Sequence, residues 1–230
     1  VRRDRAGRIE SIGTDGDGIA ESWQHIEVDR TSDPVQLEHV RSRIEAALGD
    51  VRVAVEDWPA MLQQARDLAA AVRSKVPGLS RAETQEASAF LDWLADNHFT
   101  FLGYREYRLE RGPSVDRLVP VAKSGLGLLR TGAGRPRAQP TLLRGEVRRK
   151  AREAVALVVT KANSVSTIHR ATYLDYVGVK TFDARGRVTG ERRFIGLFTS
   201  ATYSASPREI PLLRHKVQRV IDHFGISPVS

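Results

Sequence analysis

The spacing of apolar residues changes character several times along the chain, and each change predicts an element. Residues 1–13, VRRDRAGRIESIG, read as a strand and turn, and the glycine-rich stretch GTDGDG (13–18) as a flexible turn. In SWQHIEVDR (22–30) alternation predicts a strand, with Trp23, His25, Glu27 and Asp29 on one face and Gln24, Ile26 and Val28 on the other. His25 is expected at a surface or edge position. Asp33 followed by Pro34 is an N-cap carboxylate with proline at the first helical position. The helix it opens has Val35, Val40, Ile44 and Leu48 as its apolar stripe, and Gly49 is expected to end it. A second helix from Val51 carries Val55, Trp58, Met61, Leu62, Leu68 and Val72, with Pro59 expected to kink or restart it. The stretch KVPGLS (75–80) is the clearest domain boundary.

Ser80 and Glu83 form a capping box for a third helix containing Ala87, Phe90, Leu91 and Leu94. The period then drops to two in HFTFLGYREYRLE (98–110), and strand-like runs recur at 118–122, 154–162, 166–182 and 191–203. TGAGRPRAQP (131–140) is expected to be a mobile loop, and FDARGRV (182–188) a hairpin turn in which Gly186 supplies a positive φ. Ser206-Pro207-Arg208-Glu209 repeats the cap, proline and box pattern. It predicts a closing helix with Ile210, Leu213, Val217, Val220 and Ile221, ended by Gly225. The order predicts an α+β fold, antiparallel sheets with packed helices. It lacks the strand–helix alternation of a dinucleotide-binding domain.

Composition narrows the function classes. There is no cysteine, so disulfide frameworks and thiolate metal sites are excluded, which fits a reducing, cytoplasmic setting. No apolar run approaches the roughly 18–20 residues that span a bilayer, so no membrane partner is expected. The chain begins at Val1 and its sole methionine is Met61, which suggests a piece of a longer protein. A net charge of +8 raises nucleic acid as a partner. The one dense basic patch is LLRGEVRRKAREAV (142–155), where Arg144, Arg148 and Arg152 share a helix face. No aromatics interleave those charges, so a solvated face or an interface is favoured over a phosphate-binding stripe, and nucleic acid is disfavoured.

Known catalytic patterns are missing. GTDGDG lacks the carboxylate spacing of a calcium loop, GLGLLR (125–130) lacks a third glycine, and no GxxxxGK[ST], GxSxG or HExxH occurs. What remains is STIHRATYLDYVGVK (166–180). Treated as one strand, it sets Tyr173, Asp175, Val177 and Val179 on one face, with Leu174, Tyr176, Gly178 and Lys180 on the other. His169 then points away from Ile168 and Arg170. In ERRFIGLFTS (191–200), Arg192 and Arg193 must face opposite ways and cannot clamp one anion together. The polar residues do not converge as a catalytic constellation would. Structural hydrogen bonding is the first reading, effector or interface contact the second and catalysis the last.

The stretches FLDWLADNHFTFLGYREY (90–107), 166–203 and IPLLRHKV (210–217) resemble the N-terminal regulatory region of large bacterial NAD-specific glutamate dehydrogenases. ESWQHIEVDR and VRVAVEDWPAM resemble the same region slightly upstream. The resemblance implies a non-catalytic regulatory and oligomerisation region made of ACT-like and PAS-like domains. Residues 1–75 would close an ACT-like unit and add a helical connector, 80–204 would be PAS-like, and 206–230 an exit helix. It also implies a parent enzyme that oxidatively deaminates L-glutamate to 2-oxoglutarate with NAD, in a homo-oligomer. Nothing here matches that family's catalytic lysine, aspartate or nicotinamide-binding glycines. Catalytic, metal and cofactor-binding residues are therefore expected to be none. The partners implied are the rest of the polypeptide, its homo-oligomer and an amino-acid effector, with His169, Arg170, Tyr173, Asp175 and Tyr176 as effector or interface candidates. A freestanding amino-acid-sensing module and a nucleic-acid-binding domain are the alternatives.

Overall fold

In the computed structural model of the chain, residues 1–13, 23–27, 29–74, 76–132 and 138–225 are described. The chain divides into two units, Val1–Ser42 and Arg43–Ser230. The first holds a small antiparallel hairpin, β1 (Arg2–Arg3) with β2 (Ile9–Ser11). Asp4 closes its turn by accepting from the Ala6 and Arg8 N–H groups at 2.8 Å each, with Gly7 at φ 82°. Residues 23–27 are exposed and irregular, so the strand expected there does not form among the described residues. A strand is stabilised by its ladder, and the strand pairs formed among the described residues do not include this segment. Most of GTDGDG, and residues 133–137 of the 131–140 loop, lie outside the described residues.

Helix α1 spans Pro34–Arg73, where two helices were expected. Asp33 caps it as expected, its Oδ1 accepting from Val35 N–H at 2.9 Å. Gly49 and Pro59 lie inside it. The expected apolar stripe at Val35, Val40, Ile44 and Leu48 is exposed, and the core contacts come from Met61, Ala65, Leu68, Ala69 and Val72. The helix continues through Gly49 because a single glycine costs only about 1 kcal/mol relative to alanine. Ser80 and Glu83 make the reciprocal capping box that opens α2 (Arg81–Trp93). Helix α2 then ends in a wide turn at Leu94–His98, where Asn97 takes the left-handed conformation.

The rest of this unit is built on a seven-stranded, wholly antiparallel sheet in the order β6-β4-β3-β9-β8-β7, with a short β5 also on β3. Its strands are β3 (Phe99–Glu110), β4 (Asp116–Pro120), β5 (Leu126–Gly127), β6 (Thr141–Leu143), β7 (Leu157–Val165), β8 (Tyr173–Phe182) and β9 (Val188–Phe198). A register shift between Phe101 and Gly103 inserts one residue, so Tyr104 stays on the same side as Phe99 and Phe101. These aromatics meet Phe194, Val177 and Val179 beneath α1 and α2, in one cluster that holds residues from both sides of 75–80. The opposite face carries Leu102, Leu174, Ile195 and Leu197, and then Tyr107 and Leu118, against which Ala151 of α3 (Gly145–Arg152) packs. The fold is α+β with antiparallel sheets and packed helices.

Several boundaries differ from expectation, three of them near candidate residues or at the end of the chain. Residues 166–172 form a tied loop, so β8 starts only at Tyr173. Strand β9 stops at Phe198 and gives way to a short helix, α4 (Ser200–Ser204). Ser206–Glu209 forms a turn, and the last helix, α5 (Leu213–Phe224), starts after a left-handed Leu212. Gly225 ends it in the left-handed conformation, as expected. The 182–188 hairpin forms with Gly186 at φ 74°, where the neighbouring Pro77 carbonyl leaves no comfortable room for a side chain.

Candidate functional site

The 166–180 run splits into a loop and a strand, and its polar residues go to three places. Ser166 is buried and fixes the loop, its N–H donating to the Thr172 carbonyl at 2.8 Å and its hydroxyl to the Ile168 carbonyl at 2.6 Å. Thr167 donates to Asp50 of α1 at 2.7 Å, and the Arg170 guanidinium donates to the Phe198 carbonyl at 2.7 Å. Ile168 plugs the core, which turns the adjacent His169 outward in a left-handed conformation with φ 66°. His169 thereby stands at a cleft of about 400 Å³ walled by Val51, Val55 and Trp58 of α1, Thr100 and Leu102 of β3, and Ile168. The walls are mainly apolar.

Asp175 and Tyr176 lie on opposite faces of β8. Buried Asp175 accepts from the Phe198 N–H at 3.2 Å and pairs with Lys161 at 2.6 Å. Tyr176 donates its hydroxyl to Glu191, which also holds Arg193 at 3.2 Å. The Arg193 guanidinium lies 4.2 Å from the Tyr107 ring centroid and 4.9 Å from that of Tyr176, a cation between two π faces. Gly178 makes this packing possible, since a β-carbon there would stand 2.9 Å from the Glu191 carboxyl carbon. Burial and the adjacent Glu191 carboxylate push the Tyr176 hydroxyl well above its ordinary value, so it remains a neutral donor. Tyr173 is exposed. Arg192 and Arg193 diverge as expected, with Arg192 pairing with Glu106 at 3.5 Å on the other face.

Sequence reading missed the arginine cage and a second ionic cluster. Asp116, fully buried, receives Arg152 at 2.6 and 2.7 Å, Arg148 at 3.1 Å and the Gly112 N–H at 3.2 Å. Two of the three stripe arginines are thus committed to a carboxylate of the sheet, and only Arg144 stays exposed. Lys180, also buried, donates to the Lys150 and Glu153 carbonyls at 2.6 and 2.7 Å, a cation on the C-terminal end of α3. Burial lowers its pKa below the usual lysine value. GLGLLR is no phosphate cradle. Leu126 and Gly127 pair with β3, no helix follows, and the Gly127 N–H is held by Asp57 of α1 at 2.8 Å. Among the described residues no group of His, Asp and Glu is placed to hold a metal ion, and no helix is long and apolar enough to cross a membrane.

No family model matches the chain. Among curated proteins it is 38% identical over 234 residues to a protein of Halomonas elongata and 37% identical over 234 residues to one of Pseudomonas aeruginosa. A Mycobacterium tuberculosis protein is 27% identical over 226 residues. All three are named NAD-specific glutamate dehydrogenase. The chain is similar to these dehydrogenases from end to end. The first two matches cover 99% of the chain but only 14% of each relative, and the third covers 96% and 13%. The chain therefore spans about a seventh of the length of these dehydrogenases. Among the described residues every strand pair is antiparallel, so none of them forms the βαβ unit of a dinucleotide-binding fold.

Proposed function

We propose that the chain is a non-catalytic regulatory and assembly region of an NAD-dependent glutamate dehydrogenase. The observation that carries this reading is the alignment of nearly the whole chain with a seventh of the dehydrogenases. The lack of a convergent catalytic group among the described residues supports it. The parent would convert L-glutamate, NAD and water to 2-oxoglutarate, ammonium and NADH in the cytoplasm as a homo-oligomer. NAD and the chemistry would belong to the other segments. Residues 1–75 would be the end of an ACT-like unit with its connector, 80–204 a PAS-like domain and 206–230 the exit segment.

Regulation would act by population shift: an effector or neighbouring subunit that favours one arrangement biases the distant active site. His169 and Arg170 are the first candidates for that contact, because they stand on a tied loop beside the α1 cleft and remain exposed. Tyr173 is exposed as well, whereas Asp175 and Tyr176 would act through the contacts they already make.

Two measurements test the reading. The purified chain, given glutamate and NAD, should form no NADH; turnover would overturn the non-catalytic assignment. A thermal-shift series with single amino acids should reveal an effector as a rise in melting temperature, with about 2.7 kcal/mol of stabilisation at 100 times Kd. In the longer enzyme, His169→Ala and Arg170→Ala should alter effector response or assembly while leaving unregulated turnover unchanged. If neither property moves, these residues are not the regulatory contact.

A further inference from the structure

Helix α1 carries an apolar stripe that its own unit does not cover. Ile44, Leu48, Val51, Val55 and Trp58 are 42–67% exposed. Their spacing of four, three, four and three residues keeps them on one face. The buried side chains of the same helix, Met61, Ala65 and Leu68, occupy a different face, about a quarter turn away at 3.6 residues per turn. No residue from Arg43 to Val53 is buried, so this stretch is open to a partner. Towards Val55 and Trp58 the stripe runs into the cleft beside Ile168. A contiguous apolar surface of this kind marks an interaction site.

We propose that the stripe pairs with the same stripe of a second copy of this chain, antiparallel, about a two-fold axis at Leu48. The flanking charges select both the partner and the direction. Glu45 and Arg52 lie seven residues apart along one border of the stripe. An antiparallel two-fold at Leu48 sets Leu48 on its symmetry mate and Ile44 on Val51 of the second copy. It also brings Glu45 close to Arg52 of the second copy, twice by symmetry. A parallel, in-register pair carries the two copies of this border to opposite sides of the seam, so Glu45 and Arg52 would face Val40 and Ala47 of the second copy and gain no ion pair. The pairing is a property of α1 and does not depend on the parent enzyme's chemistry.

The test is the size of the 230-residue chain in solution, by sedimentation up to about 100 µM, a range that captures a weak dimer. A dimer that Leu48→Glu converts to monomer, with an unchanged circular dichroism spectrum, is the expected result. Leu48 is exposed, so this substitution should not unfold the chain. The sequence has no cysteine, so single replacements report direction cleanly. Leu48→Cys should cross-link across the axis under oxidation. Val55→Cys should not, because the two copies of residue 55 would lie about 21 Å apart along the helices at 1.5 Å per residue. Cross-linking at both positions would overturn the antiparallel arrangement. A chain that stays monomeric, or a dimer indifferent to Leu48→Glu, would overturn the self-pairing and leave the stripe to another segment or protein.

Discussion

Asp116 shows at the scale of one residue how the fold uses its excess of arginine. Arg152's hydrogen bonds to it, reinforced by Gly112 and Arg148 and opposed by burial, hold the carboxyl well below the usual carboxylate range. A group whose pKa is depressed on folding stabilises the protein at pH values above its unfolded value, about 3.9, and that stabilisation is lost as pH falls below it. Asp116→Asn should therefore cost about 3–5 kcal/mol in urea unfolding at pH 7, because it leaves two guanidinium groups without their counter-charge. The variant should also lose less stability than the parent chain on acidification below about pH 4. Equal acid dependence in both would show that Asp116 does not govern that limb. The helical spacing of Arg148 and Arg152 was legible in the sequence, but their target was not, because it lies 32 and 36 positions earlier in an unremarkable strand. His169 illustrates the converse. Strict alternation fails in this stretch because a serine–backbone bond and the plug of Ile168 override strand periodicity.

Among the elements, local signals were read well where one residue type can do the job. The Asp33 cap, the Ser80–Glu83 box, the Gly186 turn and the antiparallel β8–β9 pair are of this kind. Helix α1 outlasts its sequence signals because Gly49 and Pro59 are local penalties, whereas the burial that holds the helix is supplied by distant strands. Packing also explains why proline is tolerated. Asp57, two residues before Pro59, accepts from the Gly127 N–H and from Arg130 at 2.8 Å and 2.5 Å, clamping this turn of α1 to the β5 loop. Pro59 is exposed and cannot donate to the Val55 carbonyl. Pro59→Ala should accordingly stabilise the chain, by up to about 3 kcal/mol, as a rise in the urea midpoint. An unchanged or lower midpoint would mean that the packing of Met61 and Ala65 depends on the proline ring.

For the molecule as a whole, the order in which strands are made differs from the order in which they sit. Strand β9 is the last in sequence, yet it lies between β3 and β8 and pairs with both along most of its length. A chain ending at Arg187 would have two half-sheets, β6-β4-β3 and β8-β7, each with an unpaired inner edge. It should bind a hydrophobic dye and show no cooperative thermal transition, while a chain ending after Ser204 should melt cooperatively. Cooperative melting of the shorter piece would show that β9 is dispensable to the core. The same geometry bears on synthesis. At ordinary elongation rates, roughly 4–18 s separate the emergence of Glu110 at the end of β3 from that of Phe198 at the end of β9. Throughout that interval β3 has no partner along its Phe99–Arg108 edge, and Phe101 and Tyr104 lack the Phe194 ring that packs beside them. Its yield in the cell should depend on chaperone occupancy and on codon speed between residues 111 and 198 more than on the stability of the finished fold.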